Sequence, residues 1–386
     1  MANVSPDRNP HIDGLRGVAI AVVLLLHFSL SYGLKASPLG ILPAPLLKAF
    51  SQHGNYGVTL FFTISGFLIT SNALQRWGEL RNIDLRTFYV LRVARIMPPL
   101  LLVLAIIVTL GCAGLPSFAN SDDHQQLPAS FFWLGAGSVL TFWHNVLMQS
   151  HGYFNYCLNV FWSLSVEEVF YLLMPLLCLA LRCTWLLVLV CAVMLVAGPV
   201  YRSAHADNEI FYMYAYLACF DAIAMGALAA LLVRAVRLPA TAALVLMWLG
   251  AAGMLAVYVR GFSGVEGIGF SLMAVASACF LVGAAFTTPM HAITLRCTGW
   301  LRWLGRHSYE VYLYHIVVLA LLRNVITKAQ LTYDTRLPLL LLFFVLTAAA
   351  AALVARYVAE PANRAIRRRW LATGNAACPL PAPAHR

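Results

Sequence analysis

The chain has 386 residues, of which 61% are apolar and 11% charged, with a net charge of +11. That charged share is about half the share found in a typical soluble domain, which excludes an ordinary water-soluble fold. The basic balance of so apolar a chain reflects arginines held at a membrane face, so no nucleic-acid partner is expected. The nine cysteines show no paired C-x-x-C spacing; they read as small buried hydrophobes, and no metal site is expected.

A bilayer core about 30 Å thick calls for roughly 20 apolar residues per helix. At the N-terminal end Arg8 and Arg16 precede the apolar stretch Gly17–Leu30, and no A-x-A-like cleavage site follows, so the stretch is read as a retained helix. In chain order, spans are predicted at 14–34, 57–75, 96–115, 160–181, 184–201, 211–233, 239–259, 265–287, 304–326 and 337–358. The segment 131–148, FFWLGAGSVLTFWHNVLM, carries His144, Asn145 and two glycines, and its hydropathy alone does not decide whether it crosses.

Arginine and lysine placement decides it. With 131–148 left outside the count and the N-terminus inside, 17 of the 26 Lys and Arg residues fall on the cytosolic side and 7 on the other, Arg16 and Arg386 being left out. If 131–148 crossed, the asymmetry would vanish. The predicted fold is therefore an all-α, polytopic membrane bundle of about ten transmembrane helices, with a re-entrant or interfacial segment near 131–148. Both termini are expected in the cytosol. Residues 1–361 form the membrane domain and 362–386 a short basic, proline-containing tail. No internal repeat of the kind common in secondary transporters is evident.

Ionisable groups inside a bilayer are costly, so each invites a function or a partner. Arg16 and His27 are 11 residues apart on the first helix, about 20° past three full turns, so they share a face about 16 Å apart along the axis. His27 reads either as a reactive group or as a histidine bonded between helices, and Arg16 either as an anion ligand or as a snorkelling side chain. The fourth span opens FWSLSVEEVFYLLMP, placing Glu167 and Glu168 in its outer half. A carboxylate beside an imidazole fixes its tautomer and suits it to take a proton from a hydroxyl, whereas the bland reading is an acidic helix start capped by Ser163 or Ser165. Arg92 and Arg95 lie three residues apart in TFYVLRVARIMPP, a pair suited to phosphate but equally to positive-inside anchoring. Asp221, Glu310 and His315 are further polar groups in apolar helices, each compatible with structural glue.

Seven segments in order resemble the membrane acyltransferase-3 family, whose members O-acylate bacterial surface and secreted glycans. They are HIDGLRGVAIAVVLLLHF, GVTLFFTISGFLIT, FYVLRVARIMPP, FWSLSVEEVFYLLMP, FDAIAMGALAA, LGRHSYEVYLYHIVVL and YVAEPANR. The resemblance implies an essential His27, functional Arg16, Arg92 and Arg95, and favours Glu167 over Glu168. Catalysis is thus expected at His27 and Glu167, with Arg16, Arg92, Arg95 and Glu168 on the donor side. The donor expected is acetyl-coenzyme A or another acyl-coenzyme A. The acceptor is a hydroxyl of a glycan or lipid-linked oligosaccharide, and the setting is the bacterial inner membrane. Direct transfer and a covalent relay through His27 both remain open. Some members carry an SGNH-type hydrolase-like domain, for which this chain has no room, so a separate periplasmic partner protein is an expectation. The rival reading is a transporter or flippase of a lipid-linked glycan that uses His27 and Glu167 as a proton relay.

Overall fold

The computed structural model describes residues 9–120, 127–287 and 296–371. Helices α1 (Pro10–Tyr32), α2 (Ala44–Gln52), α3 (Asn55–Trp77) and α4 (Leu85–Cys112) come first, followed by the short α5 (Ser130–Leu140) and α6 (His144–His151). The chain continues with α7 (Trp162–Leu181), α8 (Thr184–Ala204), α9 (Glu209–Tyr214), α10 (Tyr216–Ala235), α11 (Ala240–Arg260) and α12 (Glu266–Phe286). It closes with α13 (Gly299–Arg306), α14 (Ser308–Val325), α15 (Arg336–Val354), a π turn at Ala355–Ala359 and α16 (Glu360–Leu371). Among the described residues there is no strand, and nine helical stretches are long and apolar enough to cross a membrane. The protein is a multi-pass helical membrane bundle. Helices α8, α11 and α15 turn Val196, Leu249 and Leu341 outward, which is stable only where the surroundings are themselves apolar.

Several expected spans are subdivided. The stretch predicted at 304–326 is α14, an 18-residue helix preceded by the separate α13, with the break at His307. Helix α14 carries Glu310, His315 and Arg323 and has half of its residues buried inside the bundle. The stretch 131–148 is two short helices separated at Thr141–Trp143, where Phe142 takes a left-handed φ of 63°. Neither piece is long enough to cross, in keeping with a re-entrant element. Its bend is held by His144, which is fully buried. The Ser138 hydroxyl donates to the Gly135 carbonyl at 2.7 Å and so accepts from His144 Nδ1 at 2.8 Å. Burial pushes the His144 imidazole down to about 3, so it stays neutral. The last helix runs on to Leu371, and what was expected of residues 372–386 lies outside the described residues.

Close packing relies on small residues, as it must where no hydrophobic effect drives helices together. A methyl group at Gly66 of α3 would collide with the Ile223 carbonyl oxygen of α10, and one at Gly226 of α10 would collide with the Thr63 carbonyl oxygen of α3. The two backbones therefore touch at reciprocal notches. Beside them lies a buried ion pair that ties α8, α10 and α12 together. All five N–H donors of Arg202 find acceptors: Gly267 O at 3.0 Å, Ala218 O, Asp221 Oδ1 at 3.1 Å, Asp221 Oδ2 at 2.7 Å and Ser271 Oγ at 2.6 Å. Ser271 in turn donates to Asp221 Oδ2 at 2.5 Å. A network so completely satisfied gives Asp221 a structural task.

Candidate active site

Helix α4 begins 11 residues before the apolar run first suggested, because Asp84 caps it by accepting from the Thr87 amide at 2.9 Å. Bonds from Thr87, its hydroxyl foremost, hold the Asp84 carboxyl below the usual carboxylate range. The extension matters because it carries Arg92 and Arg95 two to three turns into the helix, just before Pro98 and Pro99. Prolines in a helix interior forfeit backbone bonds. Helix α14 packs against this stretch, where Tyr309 donates to the Ile96 carbonyl at 2.9 Å and Tyr314 to the Pro99 carbonyl at 3.1 Å.

The result is a cavity of about 940 Å³, part of it open to the surroundings, enclosed by α1, α3, α4, α7 and α14. Arg16, Arg92, Arg95, Glu167 and Glu168 all line it. The Arg92 guanidinium sits over two rings, 5.6 Å from the centre of Phe88 and 5.1 Å from that of Tyr171. Tyr171 donates its only hydroxyl hydrogen to Glu167, one helical turn earlier, and therefore accepts from Ser65 at 2.6 Å. Glu168 is buried at 6% exposure, and its Oε1 meets no hydrogen-bond donor among the described residues. Among the described residues no carboxylate lies within 4 Å of Arg92 or Arg95, so their N–H groups are not committed to a carboxylate. Arg16 donates to Ser308 Oγ at 3.0 Å. Three guanidiniums facing one cavity make a site for a polyanion such as a phosphate chain.

His27 does not line this cavity; its ring meets His315 edge-on, with centroids 4.9 Å apart. The expected neighbour, Glu167, is engaged with Tyr171 instead, and no contact joins it to His27. The reason is depth: Glu167 stands level with Arg92, two turns inside the lengthened α4, and not with His27. Helices α1 and α14 run side by side in the same direction. Arg16 meets Ser308 at one end, His27 meets His315 midway, and the Tyr32 hydroxyl donates to the Ile326 carbonyl at 3.1 Å at the other end. Tyr312 touches both halves of the site. It lines the cavity, its ring is 5.6 Å from that of His315, and its hydroxyl donates to Val160 O at 2.6 Å while accepting from Ser163 at 2.7 Å. Sequence reasoning missed Tyr171, although its spacing of four from Glu167 on one helix was a usable signal. No sequence signal marked His315 as the partner of His27.

The chain matches the profile of a family described as acyltransferase domain over residues 9–356. It is similar to O-acetyltransferase OatA of Staphylococcus aureus (strain NCTC 8325 / PS 47), 29% identical over 176 residues, which is 45% of this chain and 25% of that protein. It is likewise similar to peptidoglycan O-acetyltransferase OatA of Listeria monocytogenes, 29% identical over 170 residues, 43% of this chain and 23% of that protein. The match thus covers about a quarter of the length of these curated relatives. No solved structure matches the chain. With a profile that runs through all of α1 to α15 and every residue of the cavity, the chain belongs to the membrane acyltransferase-3 family.

Proposed function

We propose that the protein transfers an acyl group, acetyl in particular, from a cytosolic acyl-coenzyme A to a hydroxyl of a cell-envelope glycan across the bacterial inner membrane. The observation that carries this reading is the convergence of Arg16, Arg92 and Arg95 on one cavity that adjoins the helix face bearing His27. The names of the relatives, both O-acetyltransferases and one acting on peptidoglycan, favour an acetyl donor and a glycan acceptor. In this reading both termini are cytosolic, the arginine end of α1 faces the cytosol and the His27 end faces the acceptor.

Arg92 and Arg95 hold the donor's phosphates through their paired N–H groups, and Arg16 steadies the chain that leads towards His27. Glu167 orders Arg92 through Tyr171, and Glu168, next to it on α7, contacts the donor from the cavity wall. His27 Nδ1 lies 2.9 Å from the Val23 carbonyl, which can only accept, so Nδ1 carries the proton and Nε2 presents its lone pair. Nε2 takes the proton of the acceptor hydroxyl as the oxygen attacks the thioester carbonyl carbon. A C–O bond forms, the C–S bond breaks, and the departing thiolate takes up the proton. The same Nε2 would accept the acyl group in a covalent relay.

The test is coenzyme A binding by purified protein in which Arg92 and Arg95 are both replaced by Ala, measured beside acetyl-coenzyme A turnover in His27→Ala. Binding is expected to weaken at least tenfold in the first, and turnover to fall by about 10²–10⁴ in the second with binding retained. Unchanged affinity in the double variant would refute the donor site.

A further inference from the structure

On the reading just proposed, His27 acts alone. Its neighbour changes that. His315 is fully buried on α14, and its Nδ1 lies 2.6 Å from the Tyr312 carbonyl. That carbonyl can only accept, so His315, like His27, carries its proton on Nδ1 and offers a lone pair at Nε2. The two rings are locked in the same tautomer by independent contacts, each to a backbone carbonyl of its own helix one turn back. They meet edge-on at 4.9 Å between centroids. His315 Nε2 is buried and finds no hydrogen-bond donor among the described residues.

A buried imidazole nitrogen without a donor is costly. His144 shares that condition, and what sets His315 apart is the imidazole of His27 lying against its ring. Two imidazoles in ring contact, each with its remaining lone pair at Nε2, can share a single proton. We infer that His315 is the positioning residue of the reaction: it receives a hydrogen bond from His27 once His27 has taken the acceptor's proton. The hydroxyl proton moves to His27 Nε2, and the new Nε2–H is shared between the acceptor oxygen it left and His315 Nε2. The imidazolium is thereby held until the thiolate removes the proton. Every proton is accounted for, and no group beyond the thioester and the hydroxyl is required.

The arrangement also explains why Tyr312 is fastened at both ends. Its carbonyl holds His315 Nδ1 and its hydroxyl is fixed to Val160 and Ser163, so the ring that borders the donor cavity also sets the tautomer of His315.

The inference rests on the acyl-transfer reading, and the experiment separates the two. Full-length protein in detergent is assayed for thiol release from acetyl-coenzyme A, with water or chitotetraose as the hydroxyl, and for acetyl-coenzyme A binding by calorimetry. His315→Gln keeps an acceptor near the position of Nε2. His315→Met has the same reach and no such acceptor, and His315→Asn keeps only the bond to the Tyr312 carbonyl. Gln is expected to retain about ten- to a hundredfold more turnover than Met or Asn, the worth of one hydrogen bond to a charged partner. Donor affinity should be the same in all three, so the loss falls on kcat and not on binding. A role confined to packing or to fastening Tyr312 would reverse the order and favour Asn. Should one of the pair Asn and Met fail to accumulate, the other still gives the comparison with Gln. Gln turnover no higher than that of Met or Asn overturns the inference and leaves acyl transfer standing. A wild-type chain that releases no thiol overturns the acyl-transfer reading, and the inference with it.

Discussion

Asp221→Ala is expected to destabilise the protein by about 3–5 kcal/mol, the usual cost of stranding one member of a buried ion pair. Arg202 is fully buried and Asp221 is 2% exposed, so no solvent screens the change. Removing the carboxylate leaves two Arg202 N–H groups and the Ser271 hydroxyl without their acceptor, each lost bond costing about 1–3 kcal/mol. The remaining Arg202 bonds, to Gly267 and Ala218, hold the guanidinium in place and keep it from escaping to the surface. Replacing both members by apolar residues, Arg202→Met with Asp221→Leu, removes the stranded charge and should recover much of the loss. Thermal unfolding of purified protein in detergent, followed by tryptophan fluorescence, measures both. Wild-type stability in Asp221→Ala, or a double variant no better than the single one, would refute the account.

Gly226→Val should separate α3 from α10 and lower thermal stability more than Ala224→Val on the same helix, since only the first drives a side chain into the Thr63 backbone. Equal losses would remove the notch from the argument. Reporter fusions after Leu115 and within residues 149–158 should report the same side of the membrane, because neither α5 nor α6 is long enough to cross. Opposite sides would mean that this segment spans.

Much of the bundle was legible because apolar runs near 20 residues long admit few alternatives in lipid. What hydropathy missed lies at helix ends. Polar residues continue α4 back to Leu85, and Asp84 caps it there, so Arg92 and Arg95 sit deeper than an interfacial pair would. Hydropathy also joined α13 to α14, since the break at His307 interrupts a helix without interrupting its apolar character. Within the site, the meeting of Arg16, Arg92, Arg95, Glu167 and Glu168 at one cavity could be expected only from the family resemblance. Periodicity fixes the face a residue occupies on its own helix; it does not fix its depth relative to a neighbouring helix. That is why Glu167 was expected beside His27 but stands beside Tyr171, and why His315 went unmatched.

The long helix that closes the chain has a mechanical consequence. Its buried side chains Leu339, Phe343, Thr347, Ala351, Ala355 and Ala359 recur at every fourth position. On a helix of 3.6 residues per turn such a stripe swings about 40° at each step. It therefore faces α14 along α15 and comes round to α4 by α16. The π turn at Ala355–Ala359, with its wider coil, slows that swing where the helix crosses from one neighbour to the next. One continuous rod thus splints the helix that bears His315 to the helix that bears Arg92 and Arg95. Deleting a single residue from Ala355–Ala359 would rotate everything beyond it by about 100°. The splint would then release α4 while α14 stayed clamped, and the two ends of the site would lose their common frame.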